Sequence, residues 1–149
     1  MGNAQRIKGA TGERELTKIF LQNGIETAHR GYVQFRQADV VGLPGIHIEV
    51  KRVEGLTIGT QLLTNAVKQA VAESKKKNGG TPAVFHRVNR GKWFVTMRET
   101  DFLETWFFMD LVAWDYLHKE NGLLTARLDE WLPRYKQLLD YEKEVSNAK

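Results

Sequence analysis

Apolar and polar positions along the 149-residue chain change rhythm several times, and each change marks an element. From Thr11 to Asn23, Leu16, Ile19 and Phe20 fall on one helical stripe, and Gly24 ends the run. Ile25 to Phe35 reads as a strand or hairpin with Gly31 as a break. From Ile46 to Lys51 the period shortens to two, which sends Ile46, Ile48 and Val50 to one face of a strand and His47, Glu49 and Lys51 to the other. Helical spacing returns from about Thr60 to Lys77 through Leu62, Leu63, Ala66, Val67, Ala70 and Val71, and Asn78-Gly79-Gly80 stops it. Pro82 to His86 and Lys92 to Met97 read as strands around an Asn89-Arg90-Gly91 turn.

The last third differs in character. A helix capped by Thr100 or Asp101 is predicted to run to about Lys119 and to end at Asn121-Gly122. It is apolar nearly all round, through Trp106, Phe107, Phe108, Leu111 and Trp114, so it is expected to be buried on more than one side, either on the core and against another protomer or within its own chain. Leu124 to Val145 is helical in pattern, with a break or restart at Pro133. The expected class is α/β: a mixed central β-sheet flanked by helices in residues 1–98, and a helical extension in residues 99–149 packed on it.

A hairpin follows from the residues before the alternating strand. Ala38-Asp39-Val40-Val41 is short, apolar and β-branched, and Gly42-Leu43-Pro44-Gly45 supplies a tight connection. If Gly42 pairs with Ile46, Asp39 falls opposite Glu49, where side chains start roughly 4.5 to 5.5 Å apart. Two carboxylates so close repel unless a cation lies between them, and a hard divalent ion such as Mg²⁺ suits oxygen ligands. Lys51 follows on the same face, so two carboxylates and a lysine stand in the spacing of metal-assisted phosphodiester cleavage. Glu13, on the border of the first helix's buried stripe, is better placed than Glu15 to reach that site, and Gln69 borders the stripe of the second long helix. An exposed strand bearing Glu and Lys is also often a solvated face with a weak ion pair.

Charge strengthens the first of these readings. The net charge is +4, but residues 1–98 hold 16 Lys/Arg against 7 Asp/Glu, while residues 99–149 hold 6 against 11. The cationic part contains the carboxylate cluster, which points to a polyanionic partner. The run Lys75-Lys76-Lys77 suits a helix C-terminus and equally a contact to phosphate. Cysteine is absent, which excludes disulfides and thiolate metal sites. The polar start lacks an apolar signal region, and Arg6 stands where a myristoylation motif requires Ser or Thr, so a cytoplasmic protein without membrane attachment is expected.

Lys8-Gly9-Ala10-Thr11-Gly12-Glu13-Arg14-Glu15-Leu16, Ala38-Asp39-Val40-Val41, Ile48-Glu49-Val50-Lys51 and Gly79-Gly80-Thr81-Pro82-Ala83-Val84 together resemble the PD-(D/E)XK nuclease superfamily, in its archaeal-type Holliday junction resolvase branch. The match in order and spacing covers roughly residues 8 to 97. Ala38 replaces the proline that names the motif, and the segment after residue 98 has no counterpart in the minimal resolvase; phage-type nucleases of the superfamily often carry such an extension. The resemblance implies a restriction-endonuclease-like fold and a catalytic set of Glu13, Asp39, Glu49 and Lys51. It also implies Mg²⁺, with Mn²⁺ able to substitute, held by Asp39, Glu49 and the Val50 carbonyl, with Glu13 anchoring a water or a second ion. Lys51 would act on the attacking water or on the phosphate, and Gln69 would orient Lys51 or touch phosphate.

Lys8, Arg14, Arg30, Arg36, Arg52 and Arg87 are the expected contacts to the DNA backbone, and the expected products carry 5′-phosphate and 3′-hydroxyl ends. The reading is thus a Mg²⁺-dependent endodeoxyribonuclease acting on branched or duplex DNA as a homodimer. A catalytically silent nucleic-acid-binding or scaffolding protein with the same fold is the alternative. His86 with Asn89 does not make an HNH site, because the four histidines are scattered and no Cys pair accompanies them.

Overall fold

The computed structural model describes residues 3–31, 38–56, 59–77, 79–105 and 114–148. Its elements, in chain order, are α1 (Asn3–Gln22), β1 (His29–Arg30), β2 (Val40–Val41), β3 (Ile46–Lys51), α2 (Gln61–Lys77), β4 (Thr81–His86), β5 (Phe94–Arg98), α3 (Glu99–Thr105), β6 (Leu117–Glu120), β7 (Leu123–Arg127) and α4 (Leu128–Asn147). Among the described residues, seven strands form one sheet in the order β1-β2-β3-β4-β5-β7-β6. Every neighbouring pair is antiparallel except β3 and β4, which run parallel. A parallel pair needs a crossover, and α2 provides it.

Alternation along the strands divides the chain into three layers. Ile48, Val50, Ala83, Phe85, Val95, Met97, Leu124 and Ala126 face one way and bury against Leu16 and Phe20 of α1, Phe102 of α3, and Trp131, Leu132 and Tyr135 of α4. Val84 faces the other way and packs under Leu63, Ala66, Val67 and Ala70 of α2. The larger core is aromatic. Phe20 meets Phe85 edge-on at 5.5 Å, Phe85 meets Trp131 edge-on at 5.2 Å, and Trp131 stacks on Tyr135 at 5.0 Å. Edge-to-face and offset contacts of this kind suit the ring quadrupoles and add to the area buried.

The expected helices α1 and α2 and the strands β3, β4 and β5 are present, with α1 starting earlier than its apolar stripe. The last third departs from the expected helical extension. The helix from Thr100 to Lys119 gives way to the short α3 and to β6, with Trp106 to Ala113 outside the described residues. Asn121 and Gly122 turn with φ of 55° and 74°, joining β6 to β7 as a hairpin rather than closing a helix. Leu123–Arg127 is likewise a strand, paired with β5 from Phe94↔Arg127 to Arg98↔Leu123. The helix begins only at Leu128 and continues through Pro133, because Trp131, Leu132, Tyr135 and Leu138 around it are buried. Residues beyond 98 therefore extend the sheet and fill the larger core. Among the described residues, no helix is long and apolar enough to cross a membrane.

Candidate active site

The site is built at the fork where β2 leaves β3. Val40 pairs with Ile48, and continuing that antiparallel register sets Asp39 opposite Glu49 and Gly42 opposite Ile46. The β2 pairing is short, so the Val50 N–H meets the Asp39 carboxylate instead of a strand carbonyl, donating to Oδ2 at 2.8 Å. Tyr135 steadies the hairpin from behind: its hydroxyl, on fully buried Tyr135, donates to the Pro44 carbonyl at 2.7 Å.

Asp39 and Glu49 form an electrostatically costly pair. Glu49 is only 5% exposed. The Asp39 carboxyl is pushed from 3.8 up to about 7, first by burial, then by the neighbouring charge of Glu49, with smaller contributions from Glu13 and from a side-chain hydrogen bond to Glu49; the Val50 N–H pulls the other way. Three carboxyl groups thus share one field, which together with burial holds the Asp39 carboxyl well above its ordinary range.

Glu13 reaches this field from α1. The helix lies so close to β3 that a Cβ on Gly12 would stand 3.3 Å from the Arg52 Cβ and 3.5 Å from Val50 Cγ1, and glycine keeps the approach open. Glu13 accepts a hydrogen bond from Arg30 Nε at 3.0 Å and pairs with its Nη2 at 2.9 Å. Lys51 shares its face of β3 with Glu49 and lies half-buried at the strand's end, opposite His86 of β4.

His47 was not among the expected site residues, although strand alternation placed it beside Glu49. It is 2% exposed, and its Nε2 lies 3.2 Å from Glu49 Oε1. A Cβ on Gly79 would come within 2.8 Å of its Nδ1, so the turn after α2 closes against the ring. Glu15 was the second omission. It receives Arg87 Nη1 at 2.7 Å and Arg52 Nη1 at 3.5 Å, tying α1 to the ends of β4 and β3. Its partners lie far apart in sequence, so only a tertiary signal could have found it.

The other expected residues are spread more widely. Gln69 is exposed on α2, and Arg14 is exposed on α1. Arg30, Arg52 and Arg87 are held in the ion pairs just described, which fixes them beside the site and partly neutralises them. Lys8 belongs to α1, with its side chain outside the described residues, as is Arg36 altogether. Among the described residues, no group of three or more His, Cys, Asp or Glu side chains is disposed to hold a metal ion. Mg²⁺ does not require one, since it commonly takes one or two carboxylates and completes its shell with water and phosphate. Asp39, Glu49 and the Val50 carbonyl fit that donor set, with the two carboxyl groups opposed across the β2–β3 pair. Comparison with known proteins gives no match: no family model, no curated protein and no solved structure matches the chain.

Proposed function

We propose that the chain is a divalent-metal-dependent endodeoxyribonuclease of the PD-(D/E)XK type, acting on branched or duplex DNA in the manner of a Holliday junction resolvase. The observation that carries the reading is the Asp39–Glu49 opposition at the strand fork, with Glu13 in the same field and Lys51 on the same face. The order α1, β1, β2, β3, α2, β4, with its single parallel pair bridged by α2, supports a restriction-endonuclease-like core. Asp39, Glu49 and the Val50 carbonyl would hold Mg²⁺ or Mn²⁺, with Glu13 as the outer anchor. Such an ion supplies charge neutralisation and Lewis acidity toward a phosphate oxygen. The Lys51 ammonium then lies where it can orient the attacking water or offset charge on the phosphate, and the Val50 N–H keeps the Asp39 carboxylate in one orientation.

The test is cleavage of four-way junction, flap, nicked and linear duplex DNA with Mg²⁺ or Mn²⁺, by the native protein and by Lys51→Ala. The expectation is cutting that leaves 5′-phosphate ends and is lost in Lys51→Ala while DNA binding persists. Intact substrates of every kind in both metals would sink it. A symmetric dimer making paired cuts is the form a junction substrate would call for. The second reading, a silent nucleic-acid-binding protein, draws on the partners the acids already have: Arg30 on Glu13 and His47 on Glu49. It would show binding with no cutting to lose.

A further inference from the structure

A groove of about 510 Å³ opens beside the site, between the β2–β3 turn and the last turn of α2. Its lining joins Ala38, Val41, Gly45 and Ile46 from the segment around the β2–β3 turn to Lys76 and Lys77 of α2. His47 also lines it, and the Nε2 of the same ring lies 3.2 Å from Glu49 Oε1, so this one side chain stands between the groove and Glu49. None of the described residues lining it is acidic.

The lysine run at the end of α2 is divided by the fold. Lys75 turns to a different groove, bordered by Arg98 and Leu123, whereas Lys76 and Lys77 line this one. Lys76 is exposed; Lys77 pairs with Glu73 at 3.3 Å. A helix dipole accounts for cations in the last turn, but not for two of them lining one groove with His47, the ring next to Glu49. A lining that combines lysine ammonium groups with apolar side chains suits a chain that carries both phosphates and sugars, and the glycines among the lining residues let a backbone approach closely.

We infer that this groove seats the sugar-phosphate backbone of the DNA strand flanking the bond to be cut, with Lys76 and Lys77 as its phosphate contacts. The inference rests on the nuclease reading for the word "cut" but not for the binding itself.

The experiment measures binding of a fluorescein-labelled duplex and a labelled single strand by anisotropy, in Ca²⁺ without Mg²⁺, across a salt series. It compares the native protein with K76E/K77E, the milder K76Q/K77Q, and the control K136E/K143E on α4, each checked for native circular dichroism. Two lost phosphate contacts should weaken binding about tenfold or more at low salt and flatten the log–log salt slope by roughly 1.5 to 2. The Gln pair should fall between the native protein and the Glu pair, and the control should change far less.

If K76E/K77E binds as the control does, the groove inference is overturned, and cutting by the native protein would leave the nuclease reading standing. If binding falls in the lysine variants while the native protein cuts nothing, the groove stands and the nuclease reading fails. Native protein that binds neither probe overturns the groove inference, and the nuclease reading then stands or falls on the cleavage panel alone.

Discussion

Replacing Asp39 by Asn tests whether the site stores the electrostatic strain described here. Asn is nearly isosteric and can still accept the Val50 N–H, so the change removes charge and little else. Asp39 ionises near 7 in the fold against 3.8 for a free carboxyl, so the folded state holds its proton more tightly than the unfolded chain does. Stability contributed by protonated Asp39 is therefore present below about pH 4 and is lost as pH rises through about 7. A shift of about three pK units corresponds to on the order of 4 kcal/mol, an upper figure because part of the strain belongs jointly to Glu49.

Urea unfolding in EDTA should show native protein and Asp39→Asn nearly equal at about pH 4, and the variant more stable by about 2 to 4 kcal/mol at about pH 8. Mg²⁺ should then restore the native protein by about 2.7 kcal/mol at a hundredfold excess over its dissociation constant, while leaving the variant almost unmoved. His86 titrates in the opposite sense, but it is common to both proteins and cancels in the difference. A gap that stays constant with pH would refute the reasoning.

Burial holds His86 neutral, with its pKa lowered from 6.5 to about 4, so it should cause stability to fall as pH drops through that interval, by on the order of 3 kcal/mol. His86→Gln, which can keep the bond to Thr96 Oγ1, should remove most of that slope in acid unfolding curves; an unchanged slope contradicts it. Tyr135→Phe should cost about 1 kcal/mol by losing the bond to the Pro44 carbonyl, and should speed amide exchange at the β2–β3 turn. No change in either would remove α4 from the hairpin's support. Glu130→Ala strips the acceptor from the Asp115 and Tyr116 N–H groups, which it holds at 2.6 and 2.9 Å, and should cost about 2 to 3 kcal/mol in urea unfolding. A loss within experimental error would show that those groups find other acceptors.

Local chemistry was readable where the pattern was unambiguous. The β2–β3 hairpin could be registered from its turn residues together with strand alternation, because the turn sets the loop length and a one-residue slip would turn Ile48 and Val50 to the wrong face. That register placed Asp39 opposite Glu49. It also placed His47 beside Glu49, but alternation could not show that the ring would be buried and aimed at the carboxylate. In the last third the sequence carried two compatible signals. Asn121-Gly122 ends a helix and also turns a hairpin, and the dense aromatic run favoured the helical choice. The long-range pairing of β7 with β5 decides for the hairpin, since Leu124 and Ala126 then face the larger core. Glu15 with Arg87 and Tyr135 with Pro44 join residues 72 and 91 positions apart, beyond the reach of any local pattern.

The Tyr135–Pro44 bond also imposes an order of events during synthesis. Translation delivers the hairpin bearing Asp39 and Glu49 early, yet its anchor is made 91 residues later. Trp131 and Tyr135, which fill the core behind the hairpin, arrive at the same late stage. The carboxylate fork therefore leaves the ribosome well before the helix that anchors it, and is held in place only after that helix has followed.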